Sequence, residues 1–73
     1  MTSEEAARAI LGIFKANDIA PGHIMMVGHV NRDFISGGGD AGDFQRGLEY
    51  AVSNGWLVVV KTRITLTDAG GQI

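Results

Sequence analysis

Apolar side chains recur every three or four residues in the first part of the chain, which predicts an amphipathic helix over about residues 3–17. The apolar arc of this helix holds Ala6, Ala7, Ile10, Ile13 and Phe14, with Leu11 at its edge. Thr2 stands three residues before Glu5, which is the spacing of a capping box. The helix is therefore expected to begin beside Thr2.

The pattern predicts a second helix over about residues 21–35, with Pro21 at its first position. Four of its positions share one apolar arc: His23, Val27, Val30 and Phe34. Met25 falls on the opposite, polar side, so its side chain is expected to be exposed. Ile19 and Ala20, just before this helix, have room only for a short strand at a sheet edge.

A third helix is predicted over about residues 41–54, after the glycine run Gly37 to Gly39. Glycine loses more backbone entropy than other residues in a helix, so this run separates the two helices. Asp40 suits the N-cap, and Gly55 suits the left-handed conformation that ends many helices. The inward positions of this helix are Phe44, Leu48, Ala51 and Val52.

The next segment is rich in β-branched residues and predicts a hairpin over about residues 56–67. Its strands are Trp56 to Lys61 and Arg63 to Thr67. The turn at Thr62 lacks the Asn-Gly or Asp-Gly pair that tight hairpins prefer. The remaining residues, 68–73, are short and glycine-rich, and no stable helix is expected there.

Two segments of the second half combine helix, turn and strand signals. Leu48 to Leu57 passes from a helix through Asn54-Gly55 into a strand, and Ile64 to Gly70 ends a strand with leucine, threonine and glycine. The predicted order of elements is helix, short strand, helix, turn, helix and hairpin. In this order and in these two segments, the chain resembles the winged helix-turn-helix family. Ile19 and Ala20 would form the short first strand of that family, which pairs with the hairpin. The resemblance covers nearly the whole chain. It implies one domain over residues 1–73, an α+β three-helix winged helix-turn-helix with a short first strand and a C-terminal β-hairpin wing.

In that family the third helix enters the DNA major groove while the wing touches the backbone or the minor groove. The resemblance therefore implies a small module that binds double-stranded DNA, as transcription regulators do. The implied contacts are Gly42, Gln45, Arg46, Tyr50 and Ser53 on the third helix, with Lys61, Thr62 and Arg63 on the wing. Arg46 suits guanine and Gln45 suits adenine.

Charge weakens the expected DNA binding. The net charge is −2, and the segment from residue 40 to residue 63 is balanced. Its acids are Asp40, Asp43 and Glu49, and its bases are Arg46, Lys61 and Arg63. Because neutralised phosphates supply much of the affinity for DNA, a monomer is expected to bind weakly.

An alternative function follows from the strands, where alternation must leave some large apolar side chains outside the core. Exposed apolar patches often mark protein interfaces. The candidate residues are Trp56, Val58 and Val60 on the first strand of the hairpin and Met25 on the polar side of the second helix. For Trp56 the alternative is a core position, with its ring folded over the sheet edge. The candidate residues would make the chain a non-catalytic protein-interaction module, with a second copy or another protein as its partner.

The remaining chemistry is sparse, and the chain is not expected to be an enzyme. It has no cysteine, and its two histidines lie about 120° apart on a helix, too far around it to share a metal ion. Gly37 to Gly42 matches the G-x-G-x-x-G pattern, but the pattern follows a helix and is flanked by acids. No nucleotide, metal or other cofactor is therefore expected.

The longest apolar run, Trp56 to Val60, is five residues, against about 20 for a membrane-spanning helix. No basic segment precedes an apolar stretch near Met1, so no signal peptide is expected. These features predict a cytoplasmic protein without a membrane role.

Overall fold

Helices and a small antiparallel sheet share one core in the computed structural model, which describes all residues 1–73. The elements are α1 (Ser3–Ala16), β1 (Ile24–Met26), α2 (Val27–Ser36), α3 (Ala41–Ser53), β2 (Leu57–Val60), β3 (Arg63–Leu66) and α4 (Asp68–Gly71). The strand order is β1-β3-β2, and both pairings are antiparallel. The predicted α+β class is therefore confirmed.

The first helix begins as its capping signal predicts. The Thr2 hydroxyl accepts a hydrogen bond from the Glu5 backbone at 3.0 Å, and the Thr2 backbone donates to the Glu5 carboxylate at 2.7 Å. Both bonds satisfy donors that a helix start otherwise leaves unpaired, and the bond that the Glu5 carboxylate accepts from the Thr2 backbone lowers the pKa of Glu5. The buried side of α1 consists of Ala6, Ala7, Ile10, Leu11 and Phe14.

The predicted helix over residues 21–35 is wrong in its first part. Residues 24–26 form β1, and α2 begins only at Val27. Gly22 has a φ of +90°, which breaks any helix here, and its N–H donates to the Leu66 carbonyl at 2.7 Å. The expected first strand at Ile19 and Ala20 is also wrong, because the strand lies five residues later.

This shift reverses the expectation for Met25. In β1 the side chains alternate, and Met25 points into the core beside Ile64 with only 5% of its surface exposed. Its neighbours Ile24 and Met26 point outward. His23 lies before the strand and is exposed, so it does not begin a core stripe as expected.

The third helix packs closely on α1 through Gly47, which is buried. A Cβ atom at Gly47 would lie 2.6 Å from the Ala6 Cβ and 2.7 Å from the Ala6 carbonyl carbon. This close approach centres the buried side of α3 on Phe44, Gly47 and Ala51. Val52 is consequently exposed, against the prediction that it faces inward.

A two-residue turn, Lys61 and Thr62, joins β2 to β3, with Val60 opposite Arg63. The backbone carbonyl of Thr62 accepts a hydrogen bond from the Val27 N–H at 2.8 Å.

The chain end differs from the expectation of no helix, because Asp68–Gly71 forms the single turn α4. The Thr67 hydroxyl caps this turn by accepting from the Gly70 N–H at 3.1 Å. No other residue fits at Gly70 without a shift, because its Cβ would overlap the Trp56 carbonyl oxygen. Glycine therefore permits close packing at this turn.

Candidate nucleic-acid interface

The outer face of α3 is exposed to solvent, as a helix that reads DNA requires. Four of the implied contacts lie on it and are exposed: Gly42, Gln45, Arg46 and Ser53. The Asp40 side chain caps the helix by accepting from the Asp43 N–H at 2.7 Å, as predicted. Its carboxylate therefore occupies the helix start, where an anionic ligand would otherwise bind.

Arg46, the residue that suits guanine, already has an acidic partner. Its guanidinium forms an ion pair with the Asp43 carboxylate one helical turn earlier. The hydrogen bond from Arg46 lowers the pKa of Asp43. DNA binding by Arg46 would require this pair to open or to share its donors, so α3 contributes little free positive charge.

Tyr50, expected among the DNA contacts, is half-buried. Its ring meets the Trp56 ring edge-on, with 5.7 Å between the ring centroids. The Arg8 guanidinium lies over the other aromatic partner, 5.5 Å from the centroid of the Trp56 ring. Tyr50 and Trp56 are therefore packed against the core, and Trp56 is no longer a free apolar residue of the alternative interface.

The hairpin turn presents the free positive charge of this region. Lys61, Thr62 and Arg63 are all exposed, and neither basic side chain has an ion-pair partner in the protein. Lys61 has a φ of +57°, a left-handed backbone that side chains with a Cβ rarely adopt.

The outer face of the sheet carries four exposed aliphatic side chains, each between 45% and 59% exposed. They are Ile24 and Met26 on β1 and Val58 and Val60 on β2. Between them, on β3, lie Thr65 and Arg63. We call these six residues the outer sheet face.

Val58 and Val60 were predicted here from strand alternation, whereas Ile24 and Met26 were missed. The sequence signal for Ile24 and Met26 was the alternation of exposed and buried positions over residues 24–26. It was missed because this segment was predicted to be helical. Arg63 has Met26 on one side and Val60 on the other. The predicted DNA wing and the predicted protein interface therefore share one surface.

The glycine-rich segment before α3 has a packing role. A Cβ at Gly39 would overlap the Phe34 ring, so this glycine lets the loop pass close to Phe34, whose ring packs against Phe44. No group of three metal-ligating side chains comes together in the structure. None of the helices is long and apolar enough to cross a membrane.

Comparison with protein-family models, with curated proteins and with solved structures gives no match.

Proposed function

We propose that this chain is a winged helix that binds double-stranded DNA, with α3 directed at the major groove and the β2–β3 hairpin at the phosphate backbone. The order of elements supports the proposal, since a short strand separates the first two helices and a hairpin follows the third. The pairing of β1 with β3 also matches the expected role of a short first strand.

The observation that carries the proposal is the hairpin turn. Lys61 and Arg63 are exposed and unpaired in a molecule whose net charge is negative. Lys61 keeps a long cationic side chain in a backbone conformation that favours glycine. Strained residues of this kind concentrate at functional sites.

The expected affinity is low. Each neutralised phosphate contributes about −0.9 to the slope of log affinity against log salt, so Lys61 and Arg63 alone give a slope of about −2. If Arg46 exchanges Asp43 for a phosphate, the slope becomes about −3. Binding should therefore be visible only at low salt.

The test is an amide chemical-shift titration of the labelled protein with a mixed-sequence duplex, at about 20 mM and about 200 mM salt. The expected shifts cluster at residues 42–53 and 61–63 and vanish at the higher salt. Lys61→Gln should weaken the binding. Lys15→Gln is the matched control, because Lys15 is also exposed and unpaired but lies on α1.

Absence of shifts at low salt would contradict the proposal, as would equal effects of Lys61→Gln and Lys15→Gln. The latter result would mean that only the overall charge matters.

A second candidate function is protein binding through the outer sheet face, which the four exposed aliphatic side chains favour. This surface is apolar around Arg63, whereas a surface that binds only phosphate would be polar. If the titration shows no shifts, recovery of a partner by the wild type but not by Val60→Ser would favour this candidate.

A further inference from the structure

Strand β2 is an edge of the sheet, so only every second residue of its backbone forms hydrogen bonds with the neighbouring strand β3. The Val27 and Leu66 amides donate to the Thr62 and His23 carbonyls, so the even-numbered positions of β3 pair with β1. The odd-numbered positions pair with β2, as the bond from the Thr67 N–H to the Trp56 carbonyl shows at the strand end.

Alternation then determines which groups of β2 remain free. Val58 and Val60 bond to β3, opposite Thr65 and Arg63. The N–H and C=O groups of Leu57 and Val59 point away from the sheet, and neither residue takes part in any hydrogen bond outside it. Each β2 edge therefore offers two donors and two acceptors.

This edge lacks the features that usually prevent strand pairing. The strand is Leu-Val-Val-Val, without a charged residue or a proline. Beside it, between α3 and β2, lies a shallow groove of about 390 Å³. Its lining is Leu48, Glu49, Val52, Ser53 and Val59. The helix side of the edge is thus open to an incoming strand.

We propose that β2 pairs antiparallel with β2 of a second copy of this chain, with Val58 on the two-fold axis. In this register Leu57 of each copy lies opposite Val59 of the other, and the pair exchanges both hydrogen bonds. Four new backbone bonds form across the axis. The two three-stranded sheets become one six-stranded sheet.

The side chains of the second copy fit this register. Val58 meets its own equivalent at a non-hydrogen-bonded position, where facing side chains approach most closely. Lys61 lies opposite Gly55 of the second copy, just beyond Asn54, the C-cap of α3. The last turn of α3 contains no basic residue, so the free cation of one copy complements the negative helix end of the other.

The dimer proposal does not rest on the proposed DNA binding, although Lys61 takes part in both, and its test contains no DNA. Sedimentation equilibrium of the full chain across about 10 µM to about 1 mM covers the range of weak association. The wild-type mass should rise from monomer to dimer. Val58→Lys should remain monomeric, because two like charges would face each other across the axis.

Ile24→Lys is the matched control. Ile24 is an aliphatic residue of the same outer sheet face and of nearly the same exposure, but it lies on β1 at the opposite edge. This variant should dimerise as the wild type does. A mixture of Val58→Lys and Val58→Glu should also dimerise, because opposite charges then meet on the axis.

Amide hydrogen exchange of the wild type gives a readout that needs no variant. Protection of the Leu57 and Val59 amides should rise with protein concentration by more than that of Val58 and Val60, whose amides already bond to β3 in the monomer. A wild type that remains monomeric at about 1 mM would overturn the proposal. Loss of dimer in Ile24→Lys, or a mixture of the two Val58 variants that stays monomeric, would also overturn it.

Discussion

Lys61 is the residue at which local stability and the proposed function conflict. The tight turn needs a left-handed residue, and glycine would adopt that conformation without a Cβ penalty. The sequence predicted the hairpin but left its turn weakly specified, since no glycine or asparagine marks the position. The structure shows that lysine occupies it at the cost of a left-handed backbone.

Lys61→Gly should therefore stabilise the fold by about 1 kcal/mol, because it removes the left-handed penalty of a Cβ. The same substitution should weaken DNA binding by removing a wing charge. Denaturant unfolding measures the first effect, and the low-salt titration measures the second.

Lys61→Ala separates the two effects, since it removes the same charge but keeps the Cβ. It should weaken DNA binding as much as Lys61→Gly without the gain in stability. Equal stability of the two variants would contradict the expected gain, because the left-handed penalty would then be no larger than the extra backbone entropy that glycine loses on folding.

The helices show how far a hydrophobic pattern predicts an element and where packing decides its orientation. The buried side of α1 follows the apolar arc, because five positions agree with one helical period. On α3 the pattern placed Val52 inward, but the contact at Gly47 turned the buried side away from it. A glycine carries no hydropathy signal, so this contact could not be predicted from the sequence.

Gly47→Ala should destabilise the protein by about 1–3 kcal/mol, since the added Cβ overlaps the Ala6 side chain and backbone. Gly12→Ala is the matched control in the interior of α1. A Cβ there has no atom within 4 Å, so the higher helix propensity of alanine should stabilise the fold by about 0.5–1 kcal/mol. Thermal unfolding of both variants checks the opposite signs.

Two helix starts carry carboxylates whose pKa values the folded state lowers. Backbone and side-chain hydrogen bonds from Thr2 lower the pKa of Glu5 below its usual 4.5, and Arg46 lowers that of Asp43 below its usual 3.8. The unfolded chain therefore binds these protons at a higher pH than the folded chain does. The resulting stability is present above the usual values and is lost as the pH falls through the lowered ones.

Thermal midpoints measured between neutral pH and about pH 3 should fall with acidification, and the fall should be smaller in Glu5→Gln and in Asp43→Asn. Glu49→Gln is the control, because the Glu49 carboxylate has no ion-pair partner in the structure. It removes one acidic charge without removing an ion pair, so it controls for the change in net charge. Equal curves for all three variants and the wild type would contradict the assignment.

The segment over residues 19–27 shows why the sequence misplaced an element. Strand β1 has three residues, too few for a period-2 pattern to exceed a helical one. Its pairing with β3 depends on residues about forty positions later, which no local pattern contains. Ile24 and Met26, two of the four exposed aliphatic residues of the outer sheet face, were consequently missing from the predicted interface.

At the scale of the whole molecule, the two proposed interactions share Lys61 but depend on different forces. DNA binding depends on counterion release, so it should weaken about hundredfold between about 20 mM and about 200 mM salt if two bases contact phosphate. Pairing of β2 strands depends mainly on backbone bonds and aliphatic contact, and only the contact of Lys61 with the α3 end is screened by salt, so the same change should alter the dimer dissociation constant only slightly. Sedimentation at both salt concentrations, with and without duplex, checks this difference. Parallel salt responses would contradict it.

The hydrogen bond from the Val27 N–H to the Thr62 carbonyl ties the hairpin turn to the first turn of α2. The N-cap residue Met26 offers no side-chain acceptor, so the hairpin supplies an acceptor for this helix start. Any ligand that draws the turn outward must lengthen this bond. The Val27 amide is therefore an internal reporter of wing engagement, and its resonance should shift although Val27 touches no ligand.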